Sequence, residues 1–360
     1  MINDRDLLRA TARRERQEQL LYYASFAGTA KDTALNGYHV ADYQEFVDKT
    51  GIFCPCYVYP KRKSDAPVFD YSKYYTDIEI PEGVKIGEDG TLNMPGSTFH
   101  FTHLISPLRN IYELEEIKKF PIFKNPDYYD FSGLQADVER IHQQGKVAAA
   151  WVGRFFETSW ALRGYENLLA DMIVDPEIAE YFFQNELRWN LKFATEAAKA
   201  GVDALYFGDD VGSQKAMTFS ADLWRKLIKE KWRTVWNEVK KINPDIVIWY
   251  HSCGNIFDII GDLIEVGLDI LNPIQPECMD IYEIYRKYGD KLSFDGGLST
   301  QKNFPFGTPQ SIIQETETLI NVFGKNGGII VAPAHDLEPE VPFENIKAFI
   351  DTCKRMCVTY

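Results

Sequence analysis

Residues 203–253 read DALYFGDDVGSQKAMTFSADLWRKLIKEKWRTVWNEVKKINPDIVIWYHSC, and this stretch decides the fold. It begins and ends with a short apolar run typical of a buried strand, and a long amphipathic run typical of a helix lies between them. The same alternation continues through the chain from about residue 130. The strand-like runs are 147–155, 203–210, 245–253, 269–275, 291–297 and 327–335. Strands that alternate with helices predict parallel βαβ units.

The number of strand-like runs favours a closed barrel. The run LLYYASF (20–26) and one further strand before residue 130 bring the total to the eight of a (β/α)8 TIM barrel, a fold of the α/β class. The competing fold is an open doubly wound sheet, which usually carries a nucleotide-binding motif in its first βα turn. Neither GxGxxG nor GxxxxGK[ST] occurs in the sequence. We therefore predict one barrel domain over residues 1–360, with an N-terminal helical/extended insertion.

Residues 60–110 differ in texture from the rest of the chain. They contain prolines, glycines and aromatic alternation, as in FDYSKYYTDIEI and STFHFTHLIS. We interpret this segment as an extended excursion near the barrel mouth rather than a separate domain. His100 and His103 are candidates for the substrate entrance, although a histidine satisfied within a turn or core is the more common case.

The charge balance and hydropathy exclude several classes of protein. Lys and Arg number 39 and Asp and Glu 53, which gives a net charge of −14 and opposes binding to nucleic acid or an anionic membrane. No segment has the roughly 18 to 20 apolar residues of a membrane helix, and the first residues lack the apolar core of a secretory signal. We therefore expect a cytoplasmic protein. Its six cysteines are too scattered for a secreted disulfide framework.

Two strand-like runs end in residues that are typical zinc ligands. His251 and Cys253 stand at i and i+2 in DIVIWYHSC, so their side chains point to the same face of the strand. His335 follows the last run, and the ends of barrel strands meet at one mouth. Three protein ligands and one open position are the pattern of catalytic zinc. The alternative is a core cysteine beside a histidine that binds a carbonyl group or an anionic substrate.

Acidic and amide residues also follow the strand-like runs. Glu157, Asp209, Asp210 and Asp295 would lie on the catalytic face of a barrel, where a carboxylate orients a ligand histidine, supplies a further ligand or acts as a general base. The alternative is that an aspartate in such a turn caps a helix. We interpret Gln214 and Gln275 as hydrogen-bonding residues of the pocket, and these two and Asp210 are the candidates for cofactor binding. The remaining cysteines have a structural interpretation: Cys54, Cys56, Cys353 and Cys357.

Six segments carry a resemblance to a known family. They are FETSWALRGYENLLADMIVDPE (156–177), YFGDDVGSQ (206–214), HSCGNIFDIIGDLIEVGLDILNPIQ (251–275), DKLSFDGGLSTQ (290–301), FPFGTPQSI (304–312) and GGIIVAPAHDLEPEVPFENI (327–346). Over about residues 100 to 355 the chain resembles the uroporphyrinogen decarboxylase superfamily. That family folds as a (β/α)8 barrel and contains metal-free decarboxylases and cobamide-dependent methyltransferases that bind zinc through an HxC motif and a later Cys.

The resemblance is closer to the methyltransferase branch. His251 and Cys253 match its HxC motif, and His335 stands where that branch has its later Cys. Decarboxylases typically carry an arginine-rich stretch just after the first strand, and a His in the motif that His335 matches. Here LLYYASF is followed by AGTAKD, which contains no arginine pair.

These features lead to three functional hypotheses. The preferred one is a zinc-dependent methyltransferase that moves a methyl group between a corrinoid and a thiol or related acceptor. Because the chain lacks the DxHxxG signature of a corrinoid-binding domain, the corrinoid would arrive on a separate partner protein. In this scheme Asp209 or Glu157 orients the site or takes the proton. The second hypothesis is a metal-free decarboxylase of a polycarboxylated tetrapyrrole, in which Asp209 or His335 stabilises the protonated ring. The third is a non-catalytic tetrapyrrole-binding barrel, and zinc content separates the first from the other two.

Overall fold

A curled parallel sheet forms the centre of the computed structural model, which describes residues 3–95 and 102–357. The strands of the described residues are β1 (Cys56–Tyr57), β2 (Lys61–Arg62), β3 (Leu92–Pro95), β4 (Thr102–Ile105), β5 (Tyr129–Asp130), β6 (Ala148–Gly153), β7 (Ala204–Gly208), β8 (Val247–His251), β9 (Ile270–Ile274), β10 (Ser293–Leu298) and β11 (Ile329–Pro333). The central sheet has the order β1-β6-β7-β8-β9-β10-β11, and every neighbouring pair is parallel. This chain-ordered topology confirms the predicted barrel architecture, and β6 to β11 coincide with the six strand-like runs.

The segment LLYYASF lies between the two edge strands of this sheet. On one side, the Val331 N–H donates to the Leu21 carbonyl at 2.9 Å and the Tyr23 N–H donates to the Val331 carbonyl at 3.1 Å. On the other side, the Phe53 N–H, just before β1, donates to the Tyr22 carbonyl at 2.7 Å. The segment pairs through an isolated bridge instead of a long ladder. It nevertheless occupies the eighth strand position, and β1 is the further strand predicted before residue 130.

Helices surround the sheet and connect its strands. They are α1 (Asp4–Ala12), α2 (Ala30–Tyr38), α3 (Tyr43–Thr50), α4 (Leu114–Ile117), α5 (Leu134–Gln143), α6 (Phe156–Arg163), α7 (Tyr165–Val174), α8 (Pro176–Ala200), α9 (Ala221–Trp224), α10 (Glu230–Ile242), α11 (Ile260–Glu265), α12 (Ile281–Tyr288), α13 (Asn303–Phe306), α14 (Pro309–Phe323) and α15 (Phe343–Met356). A π-helical turn, Arg225–Lys229, joins α9 to α10. In the described part of the chain, no helix combines the length and apolar character needed to cross a membrane.

The two faces of the strands have different environments. Alternate residues, such as Ala204 and Tyr206 on β7 or Val247 and Trp249 on β8, form an inner apolar cluster. The residues between them pack outward in the larger cluster that the helices cover. This period of two also turns the His251 side chain to the inside of the barrel, at the carboxyl end of β8.

Helix α1 plugs the opposite, amino-terminal end of the barrel. Leu7 and Leu8 are buried in the inner cluster. Arg5 Nε and Arg9 Nη2 each donate to Asp203 Oδ1, at 2.9 and 3.0 Å, just before β7. With one end filled by α1, the carboxyl ends of the strands remain for a binding site.

The segment 60–110 contributes small antiparallel pairs outside the main sheet. Strand β2 pairs with β5, and β3 pairs with β4. Leu104 of β4 lines a cavity together with Glu157 of α6, so part of the segment lies beside the mouth. His103 is exposed, and His100 lies outside the described residues. The proposal that residues 1–360 are one domain with this excursion stays a prediction.

Candidate functional site

The loops that follow β7 and β8 touch each other at the carboxyl end of the sheet. A Cβ atom added to Gly254 would lie 2.5 Å from the Gly212 carbonyl carbon, and one added to Gly212 would lie 2.6 Å from the Cys253 oxygen. Gly254 also has a φ of +82°, in the left-handed region. Glycine at both positions therefore lets loop 209–213 approach loop 252–255.

This approach assembles a group of three potential metal ligands. One ligand atom each of Asp210, His251 and Cys253 lies within 4.8 Å of the others. His251 Nε2 is 3.5 Å from Cys253 Sγ and 3.5 Å from Asp210 Oδ1. The Cys253 backbone N–H also donates to Asp210 Oδ1 at 2.8 Å. The structure thus brings His251 and Cys253 together as the i, i+2 spacing predicted, and adds Asp210.

A hydrogen-bonded chain orients the His251 ring. His251 Nδ1 lies 2.5 Å from Asn272 Oδ1, and Asn272 Nδ2 donates to Asp295 Oδ2 at 2.7 Å. The hydroxyl groups of Tyr23 and Tyr206 donate to the same Asp295 oxygen at 3.1 and 3.3 Å. Because the Asn272 amide N–H is used by Asp295, its oxygen faces the histidine and the network assigns the proton to Nδ1. The Nε2 lone pair is then left facing Cys253 and Asp210.

Asp295 lies inside the barrel rather than at a strand end. It is the third residue of β10 and has no exposed surface. Burial raises its pKa to about 7, and hydrogen bonds from Tyr23, Tyr206 and Asn272 oppose that rise. The indole of Trp249 also lowers the pKa of Asp295. Asp295 Oδ1 has no hydrogen-bond partner among the described residues. Asp295 contacts Asn272, and Asn272 contacts His251.

Asp209 fixes the start of helix α6. Its carboxylate oxygens accept the backbone N–H groups of Phe156 and Glu157 at 2.9 and 3.0 Å. The side chain is fully buried, and burial followed by the charge of Glu157 raises its pKa well above the usual value. This is the capping role that the sequence left open for such an aspartate, although the helix capped is the one after β6.

Glu157 supports the loop that carries Asp210. Its Oε2 accepts the Asp210 backbone N–H at 2.9 Å, and its Oε1 lies 3.3 Å from Arg154 Nη1. Burial, followed by the charge of Asp210, raises the pKa of Glu157. Asp209 and Glu157 therefore hydrogen-bond to backbone groups near the three-residue group, and neither of them is a member of it.

Two cavities adjoin the three-residue group. The inner cavity, of about 460 Å³, enters the barrel, and His251 and Arg154 line it. Aromatic rings form much of its wall: Tyr23, Tyr43, Phe53, Tyr57, Trp151, Tyr206 and Trp249. The outer cavity, of about 540 Å³, has a polar wall that includes Cys253, Gln214 and Gln275. The group therefore lies between an aromatic chamber and an open polar one.

His335 lies at the boundary between the two cavities. It lines both of them and is exposed, two residues beyond the end of β11. Its ring is not a member of the group formed by Asp210, His251 and Cys253. The prediction that His335 binds metal stays a prediction.

Gln214 and Gln275 support the outer cavity. Gln275 is buried and accepts the Gly254 N–H at 3.1 Å, whereas Gln214 is exposed and accepts the Cys278 S–H at 3.3 Å. The cysteines with a structural interpretation lie in two different places. Cys353 and Cys357 are buried at the end of α15, whereas Cys54 lines the inner cavity that adjoins the three-residue group.

The pKa values of the potential ligands reflect burial beside negative charge. Burial lowers the pKa of His251, which favours the neutral imidazole that a metal needs. Burial raises the pKa of Cys253 to about 12, with further increases from Asp210 and Glu157. In the absence of a cation, Cys253 is therefore a thiol.

Sequence reasoning missed three members of the hydrogen-bonded chain, namely Asn272, Tyr23 and Tyr206. The available signal for Asn272 was a polar residue inside the apolar run DILNPIQ. It stands two positions after Ile270, so both side chains face the inside of the barrel. The two tyrosines gave none, because aromatic residues are ordinary in strands.

Comparisons with known proteins connect this geometry to a family. The chain is 24% identical over 160 residues to the methylcobamide:CoM methyltransferase MtaA of Methanosarcina barkeri, a match that covers 44% of each protein. It is 21% identical over 255 residues to the uroporphyrinogen decarboxylase of Vesicomyosocius okutanii, covering 68% of this chain and 69% of that one. The chain thus spans less than half the length of the first relative and about two thirds of the second.

A solved structure extends the comparison to the whole fold. A methyltransferase from Methanosarcina mazei superposes with a TM-score of 0.65 over 99% of both chains, at 15% identity. This similarity supports the barrel fold. The family described as uroporphyrinogen decarboxylase (URO-D) matches residues 113–356, which include β6 to β11 and the entire three-residue group. On this match, the chain belongs to the uroporphyrinogen decarboxylase family.

Proposed function

We propose that this protein is a zinc-dependent methyltransferase that moves a methyl group between a corrinoid and a thiol or related acceptor. The observation that carries the proposal is the three-residue group of Asp210, His251 and Cys253, with His251 oriented by Asn272. The similarity to a methyltransferase of Methanosarcina barkeri supports it. The corrinoid would be held by a separate partner protein.

The three side chains fit zinc in their chemistry. One imidazole, one thiolate and one carboxylate are all common zinc ligands, and a fourth position would remain for a substrate. The Nε2 lone pair of His251 and the Asp210 carboxylate are both acceptors, yet they face each other at 3.5 Å. A cation between them satisfies both. Zinc bound there would act as a Lewis acid that favours the deprotonated form of a thiol acceptor at neutral pH.

The protein residues around the group would position the substrates. Asn272 holds the His251 ring, and Glu157 holds the Asp210 backbone. Asp209 anchors α6 beneath them. We propose that Asp209, Glu157 and Asp295 are positioning residues. Each hydrogen-bonds to other protein groups, and none of them lines the inner cavity that His251 lines.

The two cavities suggest where the substrates enter. The aromatic inner cavity would exclude water from an apolar or small acceptor next to His251. The outer cavity would face the corrinoid of the partner protein, because Gln214 and Gln275 line it and Phe306 at its rim is 80% exposed. An exposed phenylalanine beside a cavity is typical of a surface that contacts another molecule.

Decarboxylation of a polycarboxylated tetrapyrrole receives less support from the site. Several carboxylates call for several cationic partners. Among the described residues that line the inner cavity, Arg154 is the one arginine, and it already pairs with Glu157 at 3.3 Å.

The proposal is tested with zinc-loaded protein, free methylcobalamin and a panel of thiols. We expect loss of the methylcobalamin absorbance with at least one thiol, about one zinc per chain, and loss of both in Cys253→Ala. A preparation that stays empty after reloading with excess zinc would contradict the proposal. Turnover that persists in the zinc-free Cys253→Ala variant would do the same.

A further inference from the structure

A third cavity lies beside the barrel mouth and has no part in the function proposed above. This side cavity, of about 280 Å³, lies between α6, α8 and the segment before β5. Ile122, Phe123, Trp160 and Leu162 give it apolar walls. Its volume lies just below the range of about 300 to 1,000 Å³ that is typical of small-molecule sites.

Glu186 of α8 gives the side cavity a buried carboxylate. The residue is 4% exposed, and its Oε2 has no hydrogen-bond partner among the described residues. Buried carboxylates are normally paired, so an unpaired one needs a reason. Burial raises the pKa of Glu186 to about 7, and the opposing charge of Lys124 only partly offsets that rise.

The other carboxylates of the side cavity already have partners. Glu157 pairs with Arg154 at 3.3 Å. Asp89 Oδ1 accepts the backbone N–H and the hydroxyl of Thr91, at 3.0 and 2.7 Å. In the described structure Glu157 and Asp89 thus each have a partner, whereas Glu186 Oε2 is buried without one.

We propose that the side cavity binds a small organic ammonium ion, whose N–H groups donate to the Glu186 carboxylate. An ammonium ion supplies the hydrogen-bond donors that Glu186 Oε2 lacks. Trp160 offers apolar and cation–π contact to the ligand, and Phe123, whose ring already lies 4.3 Å from the Arg62 guanidinium, offers apolar contact.

Two cations also line the side cavity: Arg154, which is paired with Glu157, and Lys124, whose charge opposes the rise of the Glu186 pKa. Among the described lining residues, three carboxylates outnumber these two cations, so the cavity keeps a net negative charge.

The position of the side cavity relates such a ligand to the candidate metal group. Glu157 lines the side cavity and accepts the Asp210 N–H through Oε2. Arg154 lines both the side cavity and the inner cavity. An ammonium ion bound at Glu186 would thus share a cavity with Glu157, the residue that holds the Asp210 backbone. Its binding does not depend on zinc.

The test is calorimetric titration of the full chain with butylammonium, with butan-1-ol and butyrate as neutral and anionic matches. We expect one site for butylammonium, with the alcohol at least tenfold weaker and no butyrate binding. Glu186→Gln should weaken butylammonium binding at least tenfold. Glu177→Gln removes an exposed carboxylate from the same helix and should bind as the unmodified protein does.

A second variant keeps the test decisive if Glu186→Gln alters the fold. Ala161→Phe fills the side cavity from α6 and leaves the carboxylate in place, and it should also abolish binding. Circular dichroism and thermal melting establish that both variants are folded. Three outcomes would overturn the proposal: no butylammonium binding, butyrate bound more tightly than butylammonium, or unchanged binding in both folded variants.

Discussion

At the scale of single residues, Asp210 and His335 are the two candidates for the third metal ligand beside His251 and Cys253. Asp210 lies within 4.8 Å of the ligand atoms of His251 and Cys253, whereas His335 lines the neighbouring cavities. We expect Asp210→Ala to lose zinc and His335→Ala to retain it, because the carboxylate already faces Nε2. Elemental analysis of the two folded variants is the measurement. Zinc lost from His335→Ala and kept by Asp210→Ala would assign the ligand to His335 instead.

Asn272 contacts both Asp295 and His251. Partners of ligand histidines hold the ring and its tautomer, and their loss typically weakens metal binding about 10- to 100-fold. Asn272→Ala should therefore reduce zinc affinity by that factor without preventing folding. Competition with a chromogenic chelator measures the change. An affinity equal to that of the unmodified protein would show that the Asn272 contact at 2.5 Å has no role in the metal site.

Glu186 should make the stability of the ligand-free protein depend on pH. Its pKa is raised from 4.5 to about 7 by burial, so the folded state holds a proton that the unfolded state has released between these values. Its contribution to the free energy of unfolding is thus most favourable below pH 4.5 and declines as pH rises through 7. Through this residue, the unmodified protein should lose roughly 2 kcal/mol of stability between pH 5 and pH 8, and Glu186→Gln should abolish that loss. Urea unfolding at both pH values checks this, with Glu177→Gln as the control, and equal pH dependence in the two variants would contradict it.

At the scale of elements, the contact between two loops places Asp210 beside Cys253. Gly254 and Gly267 both have positive φ, at +82° and +108°, but only at Gly254 would a Cβ atom overlap other atoms. Both alanine variants carry the conformational cost of about 1 to 2 kcal/mol. Gly254→Ala should lose about 2 kcal/mol more than Gly267→Ala, and should also lose zinc. Urea unfolding and elemental analysis provide the comparison. Equal destabilisation with zinc retained would show that the loops can separate without consequence.

The strands were predictable because each one carries its own apolar pattern. The six runs between 147 and 335 correspond to β6–β11, and the HxC spacing at the end of β8 placed His251 and Cys253 on one face. The eighth position was harder to predict, because 20–26 pairs through isolated bridges and lacks a long ladder. The place of Asp210 depends on the approach of Gly212 and Gly254, a contact between distant residues that no local pattern encodes.

Asp209 shows the same division between local and distant information. Its position after β7 is visible in the sequence, and an aspartate in such a turn commonly caps a helix. Its two acceptor contacts are with the backbone of α6, 52 and 53 residues away. The chemistry of a carboxylate could thus be predicted from the sequence, but its partner could not.

At the scale of the whole molecule, we expect the barrel to fold without a metal ion in the candidate metal group. The inner cluster fills the barrel from the end closed by α1, and the outer cluster packs beneath the helices. The group of Asp210, His251 and Cys253 lies at the opposite rim and is only half-buried. A barrel with two such apolar clusters does not need a metal ion to fold.

Removal of the metal should therefore leave a folded protein. After chelation we expect an unchanged far-ultraviolet circular dichroism spectrum and cooperative unfolding, because the apolar clusters are intact. Zinc added at 100 times its dissociation constant should then raise the free energy of unfolding by about 2.7 kcal/mol, the amount that binding to the folded state alone provides. Cys253→Ala should match the chelated protein and show no rise with zinc. A chelated protein that is unfolded, as zinc-dependent small domains are, would make the site structural, and an equal rise in Cys253→Ala would place the zinc elsewhere on the chain.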